Sequence, residues 1–99
     1  MDFLPLFFDL KQKPCLLVGG GAIATRKARL LHKAQAKISV VSPTVEAELS
    51  TLIERSGGEH IVAEYDTKYL HDKILVISAT DDEAVNQRVA KDCHARSLP

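Results

Sequence analysis

The chain has 99 residues, of which 45% are hydrophobic and 26% charged, and its formal net charge is zero. This composition excludes a disordered tail, and no apolar run approaches the roughly 18 residues of a membrane span. We expect at most one domain, with a single core. Two cysteines are too few for a disulfide framework. The apolar N-terminal segment lacks the basic residues and the cleavage site of a secretory signal peptide. A cytoplasmic protein with reduced thiols is therefore predicted.

The zero net charge conceals an uneven distribution along the chain. Residues 1–45 contain seven basic and two acidic groups, whereas residues 46–99 contain six basic and eleven acidic ones. A nucleic-acid binder is typically basic over its whole surface, so no nucleic-acid partner is expected. The basic half instead predicts a face that attracts a small anion.

The first half of the chain predicts alternating strands and helices. Apolar residues 4–10 and Cys15–Val18 predict two short adjacent strands around a turn. Residues 22–35 predict a helix, because apolar side chains recur at helical spacing on one face: Ala24, Ala28 and Leu31, widened by Ile23 and Leu30. The β-branched residues at 37–41 predict the next strand.

The second half continues this alternation. Ser42 as a cap, with Pro43 at the first helical position, predicts a helix that ends at Gly57. The remaining predictions are a strand over 60–65, a turn or short helix over 66–72, a strand over 74–79 buried on both faces, and a helix over 82–96 opened by a Thr80/Glu83 capping box.

The predicted order is β-β-α-β-α-β-β-α. Strands that alternate with helices favour an α/β, Rossmann-like fold, in which a mostly parallel sheet carries helices on both faces. The last predicted helix returns to no strand, so the fold is expected to be truncated before its last strand. Ligands of such sheets bind outside the carboxyl ends of the strands.

A glycine motif follows the strand Cys15–Val18. Residues 19–24 match G-x-G-x-x-[G/A], and the helix 22–35 follows at once. Gly19 permits a tight turn, Gly21 lets a pyrophosphate approach the backbone, and the helix N-terminus favours the anion. The pattern therefore predicts a dinucleotide site at Gly19, Gly20, Gly21, Ala22 and Ile23, although a plain strand-to-helix turn is the alternative.

The choice of dinucleotide depends on the end of the second predicted parallel strand. An acid at this point usually holds the ribose 2′-hydroxyl of NAD, but no acid occurs before Glu46. Ser42 or Thr44 is able to bond a ribose more weakly, and no basic residue lies between Ile38 and Glu54 to neutralise a 2′-phosphate. We therefore favour NAD over NADP. Thr80 is expected either to line the nicotinamide half of the crevice or only to cap a helix.

The histidines and cysteines predict no metal site. His32, His60, His71 and His94 lack the spacing of structural zinc ligands. Cys15 begins a buried strand, and Cys93 lies on the apolar face of the last predicted helix together with Val85 and Val89, so both thiols are expected in the core.

Three segments together resemble one enzyme family. They read MDFLPLFF at the start, CLLVGGGAIATRKARLL from Cys15 and SATDDEAVNQRV from Ser78. Over essentially its whole length the chain is similar to the N-terminal module of siroheme synthases, which acts as precorrin-2 dehydrogenase and sirohydrochlorin ferrochelatase. The VGGGxxAxRKxxxL and ATDDxxxN patterns are more specific than a general dinucleotide fingerprint.

The resemblance implies that NAD oxidises precorrin-2 to sirohydrochlorin and that ferrous iron is then inserted to give siroheme. Carried over by position, the dinucleotide contacts Gly19–Gly21, Ala22, Ile23, Pro43 and Thr44. The family's proposed general base is an aspartate in a following strand, beyond Pro99, so no catalytic residue is expected among these residues. For the chain alone we expect weak or absent NAD binding and no turnover; for the full-length protein the resemblance implies a homodimer.

Two other interpretations remain open at this stage. The first is a nucleotide-sensing regulatory domain without enzymatic activity, which would share the glycine turn and need no base. The second is a short-chain oxidoreductase, whose Tyr-x-x-x-Lys pair is matched formally by Tyr69 and Lys73. That pair precedes the strand predicted over 74–79, too early for such an enzyme, and is interpreted as chance.

Overall fold

A computed structural model describes residues 9–99 and contains a parallel sheet of four strands. The elements, in chain order, are β1 (Pro14–Val18), α1 (Ala22–Lys33), β2 (Lys37–Ser42), α2 (Ala47–Ser56), β3 (His60–Val62), a 3-10 turn (Thr67–Leu70), β4 (Leu75–Ser78) and α3 (Glu83–Ala95). The Rossmann-like α/β prediction is confirmed. The strand predicted over 4–10 lies almost wholly outside the described residues.

The strand order β3-β2-β1-β4 places a topological switch point beside β1. From β1 the chain builds outward to β2 and β3, and then crosses to the other side of β1 to add β4. All three pairings are parallel, with Leu17 of β1 opposite Val40 of β2 and Ile77 of β4. The connections after β1 and β4 therefore part at the carboxyl edge of the sheet and leave a crevice there.

The sheet separates two hydrophobic cores. One face packs against α1 and α2 through residues that include Leu17, Ala28, Val40 and Leu49. The other packs against α3 and the 3-10 turn through residues that include Leu16, Val41, Leu70, Val89 and Cys93. Alternation of side chains along β1 and β2 sends successive residues into opposite cores, which fixes the register of both strands.

The start of α2 differs from the prediction. The helix begins at Ala47 with Glu46 at the N-cap, and not at Ser42 and Pro43. Ser42 is instead the last residue of β2. Residues 43–46 form a loop that packs on the glycine turn, where the Glu46 amide donates to the Gly20 carbonyl at 2.9 Å. This tertiary contact outweighs the local capping preference of Ser42.

Three further predictions need correction. Asp82, and not Thr80, caps α3, since its carboxylate accepts from the amides of Ala84 and Val85. The strand predicted over 74–79 to be buried on both faces is only partly buried over Leu75–Ser78, because among the described strands β4 pairs only with β1. On α1, Ile23 and Leu30 are 47% and 61% exposed, so they do not widen its buried face.

Candidate functional site

A cleft of about 810 Å³ lies at the carboxyl ends of the strands. It is walled by the loops that follow β1, β2, β3 and β4. Every residue that the sequence predicted to bind the dinucleotide lines this cleft: Gly19, Gly20, Gly21, Ala22, Ile23, Ser42, Pro43, Thr44 and Thr80. Residues that are up to 61 positions apart, from Gly19 to Thr80, therefore meet at the predicted edge of the sheet.

The three glycines of the turn serve different steric needs. Gly19 has a φ of +130°, and a Cβ there would overlap the carbonyl of Ala79. A Cβ at Gly20 would overlap the carbonyl of Thr44, so the absence of a side chain lets the β2–α2 loop close on the turn. A Cβ at Gly21 would meet no protein atom within 4 Å. Gly21 thus keeps open the space in front of the helix, as an approaching phosphate group requires.

The N-terminus of α1 offers amides to that open space. Gly21 is the N-cap, no side chain caps the helix, and its first turn contains no acid. The first N–H groups of a helix have no partner within it, and together with the helix dipole they favour an anion. Since Ala22 and Ile23 line the cleft, the geometry fits a pyrophosphate held by backbone groups.

The hydroxyl of Ser42 is engaged within the protein. Its side chain is 4% exposed, and its hydroxyl donates to the Thr44 carbonyl at 2.7 Å. His60 Nε2 lies 2.9 Å from the Ser42 carbonyl and 3.2 Å from the Ser42 hydroxyl oxygen. Because a carbonyl only accepts, Nε2 carries the hydrogen. Ser42 and His60 therefore hold the loop on which Pro43 and Thr44 are exposed to the cleft.

The β4–α3 loop is held by Asn86, which the sequence did not single out as a site residue. The Asn86 Oδ1 accepts from the Thr80 hydroxyl at 2.7 Å and also bonds to the Ser78 hydroxyl. Its Nδ2 donates to the Thr80 carbonyl at 3.0 Å. The sequence does carry a signal for this role. A Ser-x-Thr sequence begins at the last residue of the strand, and an asparagine stands in the first turn of the next helix.

The electrostatics of the cleft differ from the expectation based on charge along the chain. Among the described residues that line it, Arg88 is the only lysine or arginine, against the acids Glu46, Glu64, Asp81 and Asp82. No basic residue of the N-terminal half lines it. Arg29 instead pairs with Glu48 at the surface and holds the pKa of that carboxyl below its usual value. An anion in this cleft would therefore depend on backbone amides rather than on a basic surface.

Tyr65 and Arg88 form the wall of the cleft on the α3 side of the sheet. The buried Tyr65 hydroxyl donates to Asp92 at 2.8 Å, and the Arg88 guanidinium lies 5.2 Å from the centre of the Tyr65 ring. Burial and the neighbouring Asp92 carboxylate raise the pKa of Tyr65, so its hydroxyl stays protonated. Tyr69 and Lys73 do not line the cleft.

Residues 9–99 bring together no group of three or more His, Cys, Asp or Glu side chains able to hold a metal ion. None of the three described α-helices has the length and apolar character needed to cross a membrane.

A parallel sheet with a glycine turn at its switch point and an uncapped helix behind it defines a Rossmann-like nucleotide-binding domain. A family described as putative NAD(P)-binding matches residues 6–99, and the chain belongs to that family. This confirms, at the level of the family, the prediction of a nicotinamide dinucleotide as cofactor.

The chain is also similar to curated siroheme synthases. It is 66% identical over 99 residues to the siroheme synthase of Saccharophagus degradans, and the match covers all of this chain and 22% of that protein. The corresponding enzymes of Pseudomonas fluorescens and Thioalkalivibrio sulfidiphilus are 48% and 44% identical, over 21% and 20% of their lengths. The chain thus spans about a fifth of the length of these relatives.

The chain also has the fold of a solved protein, SirC, a precorrin-2 dehydrogenase, on which it superposes with a TM-score of 0.79 at 33% sequence identity. The superposition covers 89% of this chain and 44% of SirC.

Proposed function

We propose that residues 1–99 are the N-terminal, NAD-binding part of a larger enzyme of siroheme biosynthesis. This enzyme would oxidise precorrin-2 to sirohydrochlorin with NAD and insert ferrous iron, as a further substrate, to give siroheme. The observation that carries the proposal is the cleft, in which the glycine turn, the β2–α2 loop and the β4–α3 loop meet. The names of the siroheme synthases and of the precorrin-2 dehydrogenase with the same fold support the choice of reaction.

Each wall of the cleft has a separate task in this proposal. The amides behind Gly21 hold the pyrophosphate, while Pro43 and Thr44, fixed by Ser42 and His60, bound the adenosine side. Thr80, fixed by Asn86, bounds the nicotinamide side. When bound, NAD supplies a hydride acceptor for the tetrapyrrole. We assign no catalytic base to this chain, and we propose that the intact enzyme is a cytoplasmic homodimer that supplies the base from another segment.

A titration with NAD tests the binding part of the proposal. We expect NAD to bind the isolated chain weakly and to shift the backbone amide NMR signals of residues 19–23 and of Thr44 before those of other residues. Gly21→Ala is the informative variant, because its Cβ would enter open space and leave the fold intact. It should weaken NAD binding at least about tenfold, since the phosphate approaches the backbone there. Unchanged affinity in Gly21→Ala would refute this site.

A chimera tests the reaction. This chain would replace the matching segment of the Saccharophagus degradans siroheme synthase, to which it is 66% identical. We expect the chimera to oxidise precorrin-2 with NAD and to form siroheme with ferrous iron, and its Gly21→Ala variant to lose the oxidation. An inactive but folded chimera would contradict the proposal, and precorrin-2 turnover by residues 1–99 alone would contradict the placement of the base elsewhere.

A further inference from the structure

We propose that Glu46 is the residue that selects NAD over NADP, by accepting a hydrogen bond from the ribose 2′-hydroxyl and repelling a 2′-phosphate. This inference rests on the proposed function and assigns a specificity-determining residue to its cofactor site. Glu46 comes four residues after the end of β2, where sequence alone places no ribose-binding acid. The fold of the loop brings it back to the glycine turn.

The backbone fixes the position of Glu46. Its amide donates to the Gly20 carbonyl at 2.9 Å, so the residue is attached directly to the turn that would receive the cofactor. The close contact of Gly20 with the Thr44 carbonyl, which no larger residue would allow, holds the same loop from the other side. Glu46 therefore lies at the junction of the glycine turn and the end of β2, where the adenosine ribose of a dinucleotide lies in this class of fold.

The side chain of Glu46 is also held in place, by the uncharged hydroxyl group of Thr25. The Thr25 hydroxyl lies 3.1 Å from Glu46 Oε1 and 2.9 Å from the Gly21 carbonyl, one turn into α1. Thr25 is only 3% exposed, so its hydroxyl provides a fixed support. Within residues 9–99 no ion pair involves Glu46, because the neighbouring Arg29 is bonded to Glu48. Glu46 thus lines the cleft without a salt-bridge partner among the described residues.

The surroundings do not neutralise a 2′-phosphate. Arg29, which lies near Glu46, is already bonded to Glu48. Arg88, the one arginine among the described lining residues, belongs to α3, on the opposite face of the sheet from α1 and α2. A phosphate beside Glu46 would meet a like charge, whereas a ribose hydroxyl would meet an acceptor. Charge and hydrogen bonding at Glu46 therefore both favour NAD over NADP.

The test compares the ratio of the NADP and NAD dissociation constants between variants of the full chain, measured by NMR titration. The wild type should prefer NAD. In Glu46→Gln the preference should fall about tenfold, as expected for loss of one charged hydrogen bond and one like-charge repulsion. Thr25→Val, which keeps the charge but removes its support, should lower the preference by a smaller factor. Thermal unfolding of each variant verifies that the fold is retained.

Two controls make the result specific. Glu64→Gln removes another acid that lines the same cleft, and Glu54→Gln removes an exposed acid of α2 that does not line it. Both should keep the wild-type ratio. An unchanged ratio in Glu46→Gln, or an equal fall in Glu64→Gln, would overturn the inference while leaving the proposed function standing. If neither dinucleotide bound the isolated wild type, the same ratios would be measured in the siroheme synthase chimera that contains this chain; binding of neither dinucleotide there would overturn the proposed function, and the inference with it.

Discussion

The side-chain amide of Asn86 bonds to Thr80 through both of its ends. Its oxygen accepts from the Thr80 hydroxyl at 2.7 Å, and its nitrogen donates to the Thr80 carbonyl at 3.0 Å. One side chain thereby ties the first turn of α3 to Thr80 in the β4–α3 loop, which forms part of the cleft wall. The same wall is in close contact with Gly19, whose missing Cβ leaves room for the Ala79 carbonyl.

Asn86→Ala should destabilise the protein by about 1 to 3 kcal/mol, because partly buried partners at Ser78 and Thr80 lose their hydrogen bonds. Urea unfolding measures the change. Gln87→Ala is the matched control, since Gln87 is its exposed neighbour on the same helix. If the two variants unfolded at the same urea concentration, the bonds of Asn86 would contribute nothing to stability.

A comparison of Gly20→Ala with Gly21→Ala should distinguish the glycine that the fold requires from the glycine that only cofactor binding requires. A Cβ at Gly20 would overlap the Thr44 carbonyl, so the β2–α2 loop must move and stability should fall by about 1 to 3 kcal/mol. Gly21→Ala, at an extended φ of −97° and with no atom near the added Cβ, should unfold like the wild type. Thermal or urea unfolding of the pair measures this. A loss of stability in Gly21→Ala as large as that in Gly20→Ala would show that the turn is constrained at both positions.

The thiol of Cys15 should make the protein less stable at alkaline pH. Cys15 is fully buried, and burial raises its pKa. The unfolded chain then releases this proton at a lower pH than the folded one, so stability is complete below the unfolded pKa, about 8.5, and declines above it. Urea unfolding between about pH 7.5 and 9.5 measures the slope.

The variant that checks this slope is Cys15→Ala combined with Cys93→Ala, because burial also raises the pKa of Cys93. The double variant will be less stable overall, since it leaves cavities in both cores. Its unfolding free energy should nevertheless depend less on pH within that window. A slope equal to that of the wild type would assign the alkaline effect to other groups.

The sequence predicted those parts of the fold that local signals determine. The apolar β1, the glycine turn and the periodic face of α1 are contiguous, and each has a steric or hydrophobic reason that acts within a few residues. The αL conformation of Gly57 at the end of α2 is of the same kind. These signals were sufficient to place all the predicted binding residues in one cleft.

Features that depend on tertiary contacts escaped prediction. Ser42 has the residue type and the following proline of a helix cap, but the bond from Glu46 to Gly20 draws the chain past it before α2 begins. Thr25 lies off the apolar face of α1 by periodicity, yet it is buried and bonded to Glu46, just before α2. Charge along the chain was equally misleading, because Arg29 is bonded to Glu48 at the surface and does not line the cleft.

The bond between Glu46 and Gly20 has a consequence for the kinetics of ligand capture. This bond attaches the β2–α2 loop to the glycine turn before any ligand arrives, so the loop has little conformational entropy to lose on binding. The entropy cost of ordering the loop is met during folding. Association at this side of the cleft should then be limited by diffusion and orientation, not by loop closure, and variation in affinity among loop variants should appear in the rate of release.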